Sequence, residues 1–342
     1  MTATRNVLIA GIGGASLGSE IAKCLARAQR YDVYGCDISP FAAGHYSDRL
    51  RETFVVDPDH YVPSVLALCR RLGVACIVPG GEAPTTLLAS ASAAVQAAGI
   101  RLACNAVSVI DICSDKAHLF ARLRELGIPI PLTVLVREES EADDLPYPCV
   151  VKPATGSGGS AFVFLAATRA EGRLYVRYLL DNGQRVIAQE YVPVDDGEFT
   201  VGVLSLPNGR LVGSVALRRL FHAKLSVSAK TRTGLISSGY SQGLIDDFPE
   251  IRAQAEGMAA ALGSMGPLNV QGRVRDGRLV PFEINPRFSA STYLRAMAGF
   301  NEIDLFLQWL LHGAVPAPEP LRSGYYLRDL AEVYVEAKAL KT

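Results

Sequence analysis

An excess of charge of either sign, long apolar runs and lysine are what this 342-residue chain lacks. Its 34 Lys and Arg balance 34 Asp and Glu, so it has no net field with which to hold a phosphate polymer or an anionic membrane. Nucleic-acid and membrane partners are therefore not expected. The longest charge-free stretch, Ala83 to Ile100, is broken by Pro84 and filled with Ser, Thr, Gln and Ala, which is too polar to span a bilayer. No separate apolar leader precedes the strand-like Val7-Leu8-Ile9-Ala10, so the expected location is the cytoplasm. The seven cysteines are odd in number and include no Cys-x-x-Cys pair. A structural zinc site is not expected of them, and they read as small buried hydrophobes in a reducing compartment.

What is present is 49% hydrophobic residues, 20% charged residues and 31 glycines, an α/β enzyme composition with length for two or three domains. Short apolar runs at Val7–Ala10, Asp32–Asp37, Arg51–Val56 and Ala75–Val78 alternate with helical stretches at Leu17–Gln29 and Ser64–Leu72. That is the pattern of a parallel sheet wrapped by helices, a Rossmann-like half. A boundary falls near residue 105. Helices are expected from Ser114 to Leu126, Arg169 to Asp181 and Ile251 to Gly263, with strands at Cys149–Lys152 and Val186–Val192.

Three motifs carry chemistry. Gly11-Ile-Gly13-Gly14-Ala-Ser16-Leu-Gly18 joins a strand to a helix and could cradle a pyrophosphate, with Asp37 ending the next strand where a ribose-binding acid would sit. Its spacing departs from Gly-x-Gly-x-x-Gly at Ser16, and a tight turn demands glycines on steric grounds alone. The second motif is Val151-Lys152-Pro153 followed by Gly156-Ser157-Gly158-Gly159-Ser160. A strand fixes one lysine and then releases a small-residue loop that can close on phosphates. With seven lysines against 27 arginines, an ammonium inside an apolar strand calls for an anion to meet it.

The third motif is the hairpin from Gly266 to Arg287. Leu268, Val270 and Val274 must share a core with Val280, Phe282 and Ile284, which requires paired positions to sum to an even number. A three-residue loop, Arg275-Asp276-Gly277 with Gly277 left-handed, is therefore expected. The same register puts Asn269, Gln271, Glu283 and Asn285 on the opposite face. Oxygen ligands from Gln271, Glu283 and Asn285 suit a hard cation, and Arg287 follows where a guanidinium can reach a phosphate.

In order, Asp115-Lys116, Val151-Lys152-Pro153, the glycine loop, Gln189-Glu190-Tyr191-Val192, Gly197-Glu198-Phe199-Thr200 and Glu283-Ile-Asn285-Pro286-Arg287 resemble the ATP-grasp superfamily. The flavour is that of the carbamoyl-phosphate-synthase large chain and similar amino-acid ligases. The resemblance implies an α/β fold: a Rossmann-like pre-ATP-grasp domain (1–105), then a two-lobed α+β ATP-grasp domain. Its small lobe (106–192) carries the phosphate loop, and its large lobe (193–342) carries the metal-binding hairpin and a C-terminal extension. It implies that Lys116, Lys152 and residues 156–160 meet ATP phosphates, that Gln189 to Val192 form the adenine hinge, and that Glu198 holds the ribose. Gln271, Glu283 and Asn285 would hold Mg²⁺, with Mn²⁺ as a substitute, and Arg287 would stabilise the transferred phosphoryl group.

The implied reaction is ATP-dependent ligation of a carboxylate to an amine, amino acids being the expected substrates, by an enzyme of a class in which homodimers are common. The basic segment 218–234 has no sharp counterpart in the family, and Lys230 and Arg232 are assigned there to catalysis and substrate. Glu82 is expected to meet a substrate ammonium and Arg295 a carboxylate, with Ser291 beside them. A nicotinamide-dependent oxidoreductase using Gly11 to Gly18, and a noncatalytic nucleotide-binding regulator, are the competing readings. Thermal unfolding separates the first from the ligase: Mg²⁺–ATP is expected to raise the melting temperature and NAD to leave it unchanged.

Overall fold

The computed structural model describes residues 5–13, 17–144, 146–156, 160–222 and 224–341. Strands β1 (Arg5–Ala10), β2 (Tyr31–Asp37), β3 (Glu52–Val55), β4 (Cys76–Pro79) and β5 (Arg101–Leu102) form a parallel sheet in the order β3-β2-β1-β4-β5. Val7 to Ala10 are all buried, as a central parallel strand covered on both faces requires. Helices α1 (Leu17–Ala28), α2 (Tyr61–Leu72), α3 (Glu82–Ser90) and α4 (Ser92–Ala97) make the connections. The polar, charge-free run from Ala83 thus contributes two helices, and among the described residues no helix is long and apolar enough to cross a membrane.

At the end of β1 the chain packs backbone on backbone. A Cβ on Gly18 would lie 2.0 Å from the Gly11 carbonyl oxygen, and one on Gly80 would lie 1.9 Å from the same atom. These glycines are demanded by contact. Asp37 accepts from the Ile12 and Ser39 amides at 2.8 and 3.0 Å, so the acid that would have served a nicotinamide ribose is engaged by its own backbone. Gly14 and Ser16 lie outside the described residues.

Helices α5 (Val107–Ser114) and α6 (Lys116–Glu125) lead to a second sheet. Asp115 caps α6 by accepting from the Ala117 and His118 amides and is ion-paired with Arg185. Strands β6 (Thr133–Val136), β7 (Cys149–Pro153), β8 (Phe164–Ala166) and β9 (Val186–Glu190) lie antiparallel in the order β6-β9-β7-β8. Helix α7 (Arg169–Asp181) backs them through Val176 and Leu179.

The third sheet runs β16-β15-β10-β11-β14-β17. Its members are β10 (Glu198–Ser205), β11 (Leu211–Arg219), β14 (Gly243–Ile245), β15 (Pro267–Arg275), β16 (Arg278–Asn285) and the edge strand β17 (Gly324–Tyr326). A two-stranded ribbon, β12 (Val227–Lys230) with β13 (Leu235–Ser237), stands apart. Helix α8 (Pro249–Ala261) covers one face, where Ala255 and Met258 join Val201, Leu268 and Val270 in a core. The opposite face of β10, β15 and β16 carries the alternating polar residues. Helices α9 (Thr292–Met297) and α10 (Glu302–His312) pack with α1 and so tie this sheet to the first. All seven cysteines are free, and all but Cys104 are buried.

The hairpin corrects one expectation. Arg275 pairs with Arg278 across a two-residue loop, and both loop residues are left-handed, Asp276 at φ 53° and Gly277 at φ 71°. The odd sum this creates is repaired further along, where the register shifts and skips Phe282, so that Gln271 pairs with Glu283 and Asn269 with Asn285. One β-bulge does what the third loop residue was expected to do. Leu279, opposite Val274, takes the core place expected of Val280, while Phe282 turns to the polar face.

Two glycines should respond in opposite directions. Gly18→Ala drives a Cβ into a carbonyl and is expected to cost about 3 kcal/mol, at the upper end for overpacking. Gly257→Ala, inside α8 with nothing within 4 Å, is expected to gain up to about 1 kcal/mol. Denaturant unfolding of both variants checks the pair.

Candidate active site

The second sheet, the polar face of the third and the turn before α3 enclose a cavity of about 480 Å³. Strand alternation explains its floor: Thr200 pairs with Gln271, Gly202 with Asn269 and Glu198 with Arg273, so every second residue of β10 and β15 faces it. From β16, Glu283 and Asn285 face it too, with Asn285 Nδ2 donating to Glu283 Oε1 at 3.2 Å. Gln271, Glu283 and Asn285 thus share one small area. Among the described residues no group of three His, Cys, Asp or Glu gathers. The donor set is one carboxylate and two amide oxygens, which fits a Mg²⁺ ion whose remaining shell is filled by phosphates and water.

Arg287 donates to the Phe288 carbonyl at 3.0 Å and reaches Asn285 Oδ1 at 3.5 Å, while its buried Nε has no partner. An orphaned cationic donor beside a metal-type donor set suits an anion. Opposite, Lys152 is buried on β7 and donates to Gln189 Oε1 at 2.9 Å and to the Phe282 carbonyl at 3.0 Å. That carbonyl belongs to the residue the strand pairing skips. Burial pushes the Lys152 ammonium down to about 7, and neighbouring Lys116 and Arg273 add to the fall against the opposing pull of Glu283. Lys116 and Ser160 line the same cavity, and Ser160 donates across to the Ser237 carbonyl at 2.8 Å. Gly156 is exposed and left-handed at φ 70° and is not among the residues that line the cavity. Ser157, Gly158 and Gly159 lie outside the described residues.

Gln189, Glu190, Tyr191 and Val192 line one end of the cavity. Their polar groups hold structure: Glu190 pairs with Arg275 at 2.5 Å, Tyr191 Oη accepts from the Leu235 amide at 3.0 Å, and the Val192 carbonyl accepts from Arg273 at 2.7 Å. Glu82, the exposed first residue of α3, and buried Ser291 line the other end.

Four expected residues are placed elsewhere. Glu198 is fully buried between Arg273 at 2.8 Å and Arg219 at 3.4 Å, so its carboxylate is engaged by two guanidinium groups and is closed to a ribose. Arg295 is fully buried against Glu302 at 3.1 Å and reaches no substrate. Lys230 and Arg232 are exposed around the β12–β13 ribbon and line a separate surface groove. Basic composition signalled nothing about the cleft there. Conversely, Thr200, Arg273 and Phe282 line the cavity without having been singled out. The period-two alternation along β10 and β15 was the signal for the first two, whereas Phe282 depends on the bulge.

An ATP-grasp domain profile matches residues 113–291, more than half of the chain. The chain belongs to the ATP-grasp family. The carbamoyl phosphate synthase large chain of Neisseria meningitidis serogroup B is 27% identical over 215 residues, covering 61% of this chain and 19% of that protein. This ATP-grasp chain therefore matches only about a fifth of that relative's length. The formate-dependent phosphoribosylglycinamide formyltransferase of Corynebacterium jeikeium is 23% identical over 316 residues, 88% of this chain and 72% of that one. Among solved structures, an L-amino acid ligase from Bacillus licheniformis superposes with a TM-score of 0.65 at 18% identity, over 94% of this chain and 76% of its own. That likeness is one of fold.

Lys152 yields a prediction with a definite sign. Its folded value near 7 lies below the unfolded 10.5, so the folded chain binds fewer protons between those values. Stability from this group rises with pH across that window, and its full cost stands below pH 7. Lys152→Met is therefore expected to raise the melting temperature, more at pH 6 than at pH 9. Mg²⁺–ATP binding to the wild type at pH 8 is expected to take up about one proton. Calorimetry in buffers of different ionisation enthalpy reads that uptake, and Lys152→Met should abolish it.

Proposed function

We propose that this ATP-grasp chain is a carboxylate–amine ligase that forms an amide or peptide bond through an acyl phosphate and releases ADP and phosphate. The observation that carries the reading is Glu283, flanked by Gln271 and Asn285 on one rigid strand pair and faced by Lys152 and Arg287. A polyanion with a hard cation satisfies that arrangement of a buried lysine, a half-buried arginine and oxygen donors at once. The parallel sheet and the two antiparallel-sheet regions are read as a Rossmann-like pre-ATP-grasp domain (1–105), a small lobe (106–192) and a large lobe (193–342).

Residues 189–192 would flank the adenine, and Lys116 and Lys152 the phosphates. Gln271, Glu283 and Asn285 would hold Mg²⁺ or Mn²⁺, which supplies charge neutralisation on the phosphate oxygens. An oxygen of the substrate carboxylate bonds to the γ-phosphorus as the bond to the ADP oxygen breaks. The amine nitrogen then bonds to the acyl carbon, phosphate departs and the ammonium proton is lost. No protein nucleophile is needed. Lys152 and Arg287 act by preorganised charge on the oxygens where negative charge develops.

With Arg295 sequestered, Arg287, which lines the cavity, is read as orienting the substrate carboxylate as well. Glu82 at the far end suits an ammonium, and Ser291 narrows the space between. This favours amino acids, in keeping with the amino-acid ligase whose fold the chain shares. Nicotinamide chemistry is disfavoured by the engagement of Asp37. Glu283→Gln is expected to lower ADP release by about 10²–10³-fold with no loss of folding, because the side chain is only half-buried. A panel of amino and carboxylic acids read by ADP release and product mass identifies the substrates. Undiminished turnover in Glu283→Gln would overturn the metal-site assignment, and no ADP release across the panel would favour a noncatalytic regulator.

A further inference from the structure

Arg295 is one of the most enclosed charges in the molecule, with none of its surface open to solvent. It lies on the cavity side of the third sheet, above Gly202. A Cβ at Gly202 would fall 2.2 Å from Arg295 Nη1, so the strand forgoes a side chain there to admit a guanidinium. Glu302, itself buried, balances the charge through Nη1 at 3.1 Å. Nη2 donates to Asn269 Oδ1 at 2.6 Å and to Thr200 Oγ1 at 3.3 Å. Thr200 Oγ1 in turn donates to the same Asn269 oxygen at 3.0 Å.

This pattern settles the amide's orientation. A guanidinium has only donors, so the atom facing it must be the Asn269 oxygen. With both lone pairs of that oxygen occupied, Asn269 presents its Nδ2 hydrogens to the cavity it lines, and among the described residues no acceptor meets them. The position of Asn269 along β15 says what should. Arg275 and Arg273 stand against the hinge residues Glu190 and Val192. Gln271, two residues on, stands opposite Glu283, and Asn269 a further two residues on stands opposite Asn285. At about 3.3 Å per residue, Asn269 lies roughly 7 Å beyond Gln271 and Glu283, beside Asn285 and on the side away from the hinge. Read as a ligase site, that is where the terminal phosphoryl group and the acceptor carboxylate meet.

We infer that Arg295 is a positioning residue, a buried cation that turns the Asn269 amide so that its N–H donors face the oxygens gaining charge during phosphoryl transfer. This rests on the proposed ligase reading. Arg295 touches no substrate. Its charge, neutralised by Glu302, keeps Asn269 from rotating to offer its oxygen, which would repel a phosphoryl group.

The test compares Arg295→Met/Glu302→Gln, which leaves no unpaired charge, with Arg295→Lys and with Asn269→Asp, which keeps the Arg295 contact but replaces the donors by an oxygen. Once the wild type releases ADP with a substrate of the panel, the double variant and Asn269→Asp are each expected to lose about 10²-fold in kcat. Their KM for ATP should stay within about twofold, and Arg295→Lys should recover about tenfold of the loss. A folded double variant with wild-type kcat, or parallel losses in kcat and KM that Arg295→Lys does not relieve, overturns the inference. Should the double variant fail to fold, Asn269→Asp decides by the same criterion. Absence of turnover in the wild type sinks the ligase reading alone. Binding then decides the role of Asn269: Asn269→Asp should weaken Mg²⁺ with a nonhydrolysable ATP analogue about tenfold and leave Mg²⁺–ADP unchanged, and equal effects on both nucleotides would refute it.

Discussion

Everything chemical in this protein depends on the register between β15 and β16. A pleated strand sends alternate side chains to opposite faces, so one step of slippage would exchange the polar and apolar sets. The two-residue loop at Asp276-Gly277 alone would impose that wrong phase for the far half of the hairpin. The bulge at Phe282 removes the conflict: it restores Gln271 opposite Glu283 and releases the carbonyl that Lys152 uses. A single backbone irregularity therefore aligns the oxygen donors and anchors the opposing cation.

Around that strand pair the molecule holds charge in places where folding alone would not put it. Lys152 is kept in the interior and beside Lys116 at the expense of its own protonation, an electrostatic cost of the kind that clusters at ligand sites. Glu198 is held between Arg219 and Arg273 in a second buried group that keeps one positive charge over, whereas Arg295 and Glu302 balance one another. The contrast is informative. Groups with a carboxylate partner pack into the floor of the cavity, while Lys152 and Arg287, which have none among the described residues, line its interior.

Much of the architecture was legible along the chain. Buried parallel strands, their connecting helices and the α6 cap at Asp115 follow from apolar periodicity and capping chemistry, which are local. The donor face of the hairpin was legible too, since alternation needs only a correct phase. A three-residue loop follows only from an unbroken ladder, and a bulge leaves little mark on composition. Arg295 and Glu198 were misplaced for a related reason: a charged residue in sequence carries no sign of whether it meets a ligand or a partner 75 residues away, such as Arg273.

Residue order by itself determined the strand–helix alternation, the lysine set in an apolar strand and the pairing of amide and acid residues on one face, because each is governed by neighbours a few positions apart. Tertiary structure decided which charges are quenched and which remain open. That choice turns on long-range contacts, Glu198 with two arginines, Asp37 with the glycine turn, Arg295 beneath Asn269, and the energy of a buried charge depends on what surrounds it in space.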